Sequence, residues 1–412
     1  MTIHPVAATA PGPLQGLKVL ELGQLIAGPF AAKTLADFGA EVIKVEPPHT
    51  GDPLRQWRLL RDGTSVWWQV QSRNKRSLAL DLRQPAGQAI ARQLALEADV
   101  LIENFRPGAM EGWGLAPDDL IAANPKLIVL RISGYGQSGP YRDRPGFGVV
   151  GEAMGGLRHL TGEPGRVPVR TGISIGDTLA ALHGVIGILL ALQARHTSAS
   201  TEAPQGRGQV IDVALYEAVF NCMESLLPEY SAFGAVRGAA GSALPGIAPT
   251  NAYLCADGGY ALIAGNGDSI FKRLMACIGR PDLAQDAQLA SNAGRVARVE
   301  ELDAAIGAWT AQLPVEGVLA ALAAAEVPSG KIYTVADIAH DAHYAARGML
   351  QQLQMEDGSA LAVPGFVPKL SATPGSHRRN APALGQDSDA VLRELGLSEE
   401  QIAGLKARGV VA

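Results

Sequence analysis

Residues 17–46 read LKVLELGQLIAGPFAAKTLADFGAEVIKVE, and this stretch decides the fold. Leu17-Lys18-Val19-Leu20-Glu21-Leu22 alternates as a strand does, and Gly28-Pro29 then opens a helix with proline where its missing N–H costs least. The helix runs through Phe30, Leu35 and Phe38 to Gly39, a glycine suited to a left-handed C-terminal cap. Glu41 to Glu46 is the second strand. Strand, helix and strand within about 30 residues make a βαβ unit, with parallel strands and a right-handed crossover.

The same rhythm continues outward. Ser77 to Leu82 reads as a strand, Pro85 to Ala98 as a helix and Val100 to Glu103 as a strand. Pro117 begins a short helix whose Asp118 and Asp119 suit its positive end, and Lys126 to Ile132 is another buried strand. A long helix from Asp177 to about His196 is followed by TSASTEAPQGRG, then by a strand and helix from Gln209. Three strands end in polar or glycine-rich loops: EPPHTGD, ENFRPG and SGYGQSGP. Ligands of an open parallel sheet bind outside the carboxyl ends of its strands, so chemistry is sought in those loops. Ser231 to Pro249 carries little charge and many small residues, which suits a linker. Beyond it, Asp257-Gly258-Gly259 between Ala252–Ala256 and Tyr260–Ala264 predicts a hairpin. Helices are predicted over 268–278 and 300–325, and two more from Asp387 to Leu395 and from Ser398 to Ala407, the last with Ser398 as N-cap.

The composition sets outer bounds. The 412 residues are 47% hydrophobic and 18% charged, as in soluble globular domains, which excludes disorder as the main theme. A net charge of -5 argues against a nucleic-acid partner. Cys222, Cys255 and Cys277 form no CxxC pair and read as buried or incidental thiols of a reducing compartment, the cytoplasm. The N-terminal MTIHPVAATAPGP lacks a basic n-region and an apolar h-region, so it reads as a leader and not as a signal peptide. Thr178 to Ala194 is uncharged but falls short of the roughly 18 residues of a span, so a buried helix is expected and no membrane. There is no GxGxxG, P-loop, HExxH or GxSxG, and the histidines are scattered, so no metal is expected; Glu46 alone would serve a dinucleotide's ribose.

What remains is a carboxylate, some cations and glycine loops. Asp177, in Gly172-Ile173-Ser174-Ile175-Gly176-Asp177, has two readings: a helix N-cap, or a carboxylate kept ionised by the helix terminus and able to attack an acyl group. Arg73, Lys75 and Arg76, with Arg83 just beyond, are either solvated charge or a dock for a phosphorylated ligand. Arg106 follows the end of a strand. Tyr135 either stacks on a ligand ring or packs in its loop.

Together these segments resemble the family III CoA-transferases (CaiB/BaiF-like), which include the formyl-CoA:oxalate, carnitine and succinyl-CoA:dicarboxylate enzymes. The resemblance rests on residues 17–52, RNKRSLALDL, ADVLIENFRPG, ISGYGQSGP, GISIGDTLAALHGVIGILLAL, GRGQVIDVALYEA and APALGQDSDAVLRELG, in family order over nearly the whole chain. It implies an α/β fold: a Rossmann-like large domain with a parallel sheet built from both chain ends, a smaller α+β domain, and an interlocked homodimer. The corresponding boundaries are 1–220 for the CoA-binding large domain, 221–249 for a linker, 250–330 for the small domain and 331–412 for the return. It implies that Asp177 attacks the donor thioester to give a mixed anhydride and then an aspartyl–CoA thioester, with CoA as substrate and no permanently bound cofactor. CoA contacts are implied at Ile26, at Leu80 to Arg83, at Asn104-Phe105-Arg106 and at Gly134-Tyr135. The partners implied are an acyl-CoA and a small carboxylic acid.

Departures from the family pattern narrow the activity. The formyl-CoA enzyme has an arginine at Pro47, a glutamine at Ile26 and a basic residue at Gly112, and its four-glycine loop has no counterpart beyond Gly265-Asn266-Gly267-Asp268. A different acid pair is expected, with succinyl-CoA a candidate donor and Arg166 and Arg170 candidates for binding an acidic substrate. Two alternatives stay in view. A racemase of the same superfamily needs a histidine where Phe147 stands, and phenylalanine takes no proton. A non-catalytic CoA-binding subunit would have no need of Asp177.

Overall fold

The structure, a computed structural model, describes residues 11–199, 205–355 and 357–412. The first ten residues of the leader and part of TSASTEAPQGRG lie outside the described residues. Six strands, β1 (Lys18–Glu21), β2 (Glu41–Glu46), β3 (Lys75–Ala79), β4 (Val100–Glu103), β5 (Ile128–Ser133) and β6 (Val210–Ala214), form one sheet in the order β3-β2-β1-β4-β5-β6. Every neighbouring pair is parallel. This is the doubly wound order whose direction reverses between β1 and β4, where such sheets open a crevice for ligands.

The strands are apolar on both sides because both faces are covered. On one face Leu20, Val45, Leu101 and Val129 join α2 (Pro85–Glu97) and residues from the C-terminal helices. On the other, Val19, Val42, Ile102 and Leu130 meet α1 (Ala27–Asp37) and the long helix α4 (Ile175–Thr197). Gly39 follows α1 with φ +112, the left-handed cap its position predicts. α4 is preceded in the chain by α3 (Gly148–Met154) and followed by α5 (Leu215–Phe220).

Two sequence expectations shift. β3 begins at Lys75 and not at Ser77, because Lys75 is fully buried and belongs to the ladder. α4 has 23 residues, since Ile175 to Asp177 and Arg195 to Thr197 continue the helix; it is therefore long and apolar enough to cross a membrane. It packs on α1, α5 and β5, but Leu182, Ile186, Leu189 and Leu190 are exposed, so the fully buried helix expected from the sequence is buried on one side only.

The chain divides into two compact units. The larger runs to Arg158, resumes over Thr171–Gly234 and takes Ala345–Ala412, so the excursion His159–Arg170 goes to the smaller unit, which the sequence did not reveal. In the larger unit the C-terminal segment caps the edge strand β3. Asp387 and the Ser388 hydroxyl accept from the backbone N–H groups of Ser77 and Ala79, and Leu80 bridges to Val411. The smaller unit holds the antiparallel strands β7 (Thr250–Leu254), β8 (Tyr260–Ala264) and β9 (Ser329–Lys331), with the expected turn at Gly258, φ +81. The helix predicted over 300–325 is two, α6 (Val299–Thr310) and α7 (Val315–Ala324), bent by 114° at the intervening break that ends in Pro314. Two further helices of the larger unit, α8 (Ser388–Glu394) and α9 (Glu399–Ala407), close the chain, the last with a Ser398–Gln401 capping box.

Candidate active site

The Asp177 carboxylate is the third residue of α4, half-buried in the helix's first turn. The N-cap is Ser174, so the capping reading of Asp177 does not hold in its simple form; the side chain lies inside the turn, where the helix dipole favours a negative charge. Its neighbour is the backbone of Gly148, at the start of α3. A methyl placed on Gly148 would stand 2.7 Å from the Asp177 Cγ and overlap one carboxylate oxygen. Gly176 in turn lies so close to Gly148 that an added Cβ would be 3.0 Å from the Gly148 carbonyl oxygen. Two glycines therefore let two helix starts approach, and the carboxylate rests in the resulting notch.

The loop after β5 joins this cluster. Gly134 and Gly146 meet backbone to backbone, with the Tyr135 ring beside Gly146, and Tyr135 also packs edge-on against Tyr141 at 5.9 Å. Gly146 leads through Phe147, 67% exposed, to Gly148. Gly134, Tyr135 and Asp177 are thus brought into one neighbourhood, with Phe147 at its surface.

A second group sits at the switch point. The Asn104 side chain, at the end of β4, accepts from the Gln24 N–H (2.7 Å) and donates to its carbonyl (2.9 Å), tying β4 to the loop after β1. Phe105 packs edge-on against Trp113 at 4.9 Å. Arg106 is exposed and, among the described residues, has no ion pair. Ile26 has a buried side chain and precedes α1. Leu80, 1% exposed, belongs to the core; its N–H donates to the Glu46 carbonyl at 2.8 Å and its backbone bridges to Val411, so it presents no free group to a ligand. The Arg83 guanidinium extends into solvent and is held by Asp81 at 3.0 Å. Pro47 and Gly112 contribute no cation.

The basic run, which enters β3 at Lys75, is taken up in ion pairs. Arg73 is buried and bidentate on Asp37 (2.9 and 2.7 Å), Lys75 is buried on Glu21 (2.7 Å), and Arg76 pairs with Glu394 (2.7 Å). Arg73 and Lys75 are thus internal structure, while the Arg76 pair lies at the surface, with Glu394 largely exposed. Glu46 is likewise taken, by both Arg55 nitrogens at 2.8 Å and by the Ser77 hydroxyl; burial would raise its carboxyl, but the Arg55 hydrogen bonds hold it below the usual range. It is not a ribose ligand. Arg166 and Arg170 are exposed in the His159–Arg170 segment of the smaller unit. In that unit Arg295 binds the Asn266 carbonyl and Asp268, both at 2.8 Å, which fixes the Gly265–Asp268 turn.

Sequence reasoning missed the buried charges beneath the switch point: Lys44 lies 2.8 Å from both Glu21 and Asp52, and none of the three is exposed. The signal was a lysine in the middle of EVIKVE, a strand with apolar neighbours on both faces, since a buried lysine has to be paired.

An α/β chain with this strand order, and with an acidic residue in a glycine notch, falls in a defined class. The family model described as CoA-transferase family III matches residues 14–388, and the chain belongs to that family; it is a CoA-transferase. It is 46% identical over 403 residues to the succinyl-CoA–D-citramalate CoA-transferase of Chloroflexus aurantiacus, covering 97% of this chain and 98% of that one. It is 41% identical to the succinyl-CoA–L-malate CoA-transferase beta subunit of the same organism, covering 97% and 98%. A CaiB/BaiF family protein from Brucella suis has a solved structure similar to this one, with a TM-score of 0.81 and 36% identity, covering 94% of this chain and 100% of that chain.

Proposed function

We propose that the protein transfers CoA from succinyl-CoA to a small dicarboxylic acid in the cytoplasm, with Asp177 as the nucleophile, and that it works as an interlocked homodimer. The observation that carries this reading is the notch: a carboxylate in the first turn of an apolar helix, against a glycine whose missing side chain leaves it room. The Asp177 carboxylate attacks the succinyl thioester carbonyl and forms a mixed anhydride as CoA leaves as thiolate. The thiolate then attacks the aspartyl carbonyl, giving an aspartyl–CoA thioester and free succinate. The acceptor carboxylate opens that thioester to a second anhydride, and the returning thiolate takes the acceptor's acyl group and restores Asp177. Charges balance at each step because carboxylate and thiolate exchange places, so the protein has to position them and stabilise the oxyanions.

The substrate pair is supported by the relatives named for citramalate and malate, both dicarboxylic acids with succinyl-CoA as donor. Arg166 and Arg170 are the cations proposed for the acceptor's second carboxylate, and Ile26, Arg83, Asn104 to Arg106, Gly134 and Tyr135 for CoA. The dimer is supported by the uncovered face of α4, where Leu182, Ile186, Leu189 and Leu190 are exposed, with exposed Phe220 on the adjoining α5. The malate relative is named as one subunit of two, so the mass measurement includes a search for a different second chain.

The test incubates the protein with succinyl-CoA and a panel of acids, with mass spectrometry for new CoA esters and hydroxylamine to trap Asp177. Asp177→Ala and Asp177→Asn are expected to stay folded and to lose turnover. Exchange surviving in both variants refutes the assignment.

A further inference from the structure

The loop Gly23–Ile26 leaves the carboxyl end of β1 at the reversal of the sheet, and side chains from four other segments bind its backbone. The Gly23 carbonyl accepts from Lys44 Nζ at 2.8 Å. Asn104 brackets Gln24 from both sides. The Leu25 N–H donates to both oxygens of Asp52, at 3.0 and 3.1 Å, and the Ile26 carbonyl accepts from Gln71 Nε2 at 3.0 Å. Leu25 has φ +64, a left-handed conformation that a leucine avoids unless its surroundings impose it.

The cost of the imposing groups is considerable. Lys44, Glu21, Asp52 and Lys75 are all without solvent exposure, two cations against two carboxylates. Buried ion pairs of this kind seldom stabilise a fold beyond what apolar side chains of similar volume would give. A loop that served only to connect β1 to α1 would not require a left-handed leucine, nor a buried carboxylate to hold its N–H. Strain kept by an over-determined surrounding is a mark of a functional site.

We propose that Asp52, Lys44 and Asn104 are positioning residues of the transfer reaction: they hold Gly23–Ile26, through the left-handed Leu25, in the shape that receives the CoA thioester. The inference rests on the reading that this loop meets CoA. None of the three touches the reacting atoms; they act through the backbone of Gly23, Gln24 and Leu25.

Succinyl-CoA kinetics and thermal unfolding of Asp52→Asn, Leu25→Gly, the double variant and Gln71→Ala test it. Asparagine keeps one acceptor for the Leu25 N–H but loses the charge facing Lys44. KM for succinyl-CoA is expected to rise about tenfold in Asp52→Asn, with kcat within about twofold. In the double variant, measured against Leu25→Gly alone, most of the KM lost in Asp52→Asn is recovered, because glycine adopts φ +64 without penalty. A purely structural Asp52 lowers the melting temperature with no change in KM and no rescue by Leu25→Gly, and that outcome overturns the proposal. Should Asp52→Asn fail to fold, Gln71→Ala decides, since it removes the side-chain donor to the Ile26 carbonyl and leaves no charge unpaired; an unchanged KM there is equally fatal. Absence of any CoA transfer by the parent protein would instead sink the functional reading.

Discussion

Replacing Gly148 by alanine adds one methyl group and aims it at the proposed nucleophile, Asp177. The added Cβ would lie 2.7 Å from the Asp177 Cγ, whereas ordinary contact begins near 3.4 Å, and the overlap with the nearer oxygen is worse. The carboxylate therefore has to move by about 1 Å, and a displacement of that size in a reacting group can lower turnover about 100-fold, or about 2.7 kcal/mol in the barrier. Asp177 is only half-buried, so it can swing aside, and the loss of stability is expected to stay below about 2 kcal/mol. The assay is steady-state transfer from succinyl-CoA, with hydroxylamine trapping to count competent carboxylates and thermal unfolding to check the fold. Gly307→Ala is the control: it lies within α6, with no atom within 4 Å of the added methyl, and should raise stability by up to about 1 kcal/mol without touching kcat. A folded Gly148→Ala protein with kcat within about threefold of the parent would refute the notch as the carboxylate's seat.

Other perturbations follow from the same geometry. Asp37→Ala strands the buried Arg73 guanidinium and should cost about 3–5 kcal/mol in urea unfolding; a loss under about 1 kcal/mol would contradict the pairing. Burial holds the His377 imidazole below its ordinary pKa, so the folded chain binds fewer protons there than the unfolded one as pH falls below about 6.5, and stability drops. His377→Gln should flatten that decline between pH 7.5 and 5.5, and parallel curves would show another group responsible. Leu190→Glu places a charge on the uncovered face of α4 and is expected to yield monomers in sedimentation; an unchanged mass would locate the interface elsewhere.

The parts of the fold that were legible depend on local pattern. The alternation in Leu17–Leu22 and in Glu41–Glu46, with the proline and glycine bracketing α1, contains the βαβ unit because both periods are complete within one short stretch. The basic run at Arg73–Arg76 was misread for the opposite reason. Its partners are Asp37, Glu21 and Glu394, the last 318 residues away, and no local pattern displays them. Asp177 stood out as a candidate through its glycine-flanked context and the family resemblance, but its neighbour did not. Gly148 matters through a close approach of two backbones, and a glycine 29 positions upstream looks like any other turn-maker. Lys44 was visible all along as a charge in an apolar strand, and only its meaning was missing.

The capping of β3 by the C-terminal segment sets an order of events during synthesis. Ser77 and Asp387 are 310 residues apart, so at roughly 5–20 residues per second the ribosome needs roughly 15–60 seconds between making the edge and making its cover. For that interval the nascent sheet presents bare N–H groups to other chains, the condition under which strands pair wrongly. A chaperone that shields this edge, or slow and dilute expression, should raise the yield of folded protein more than any change at the active site.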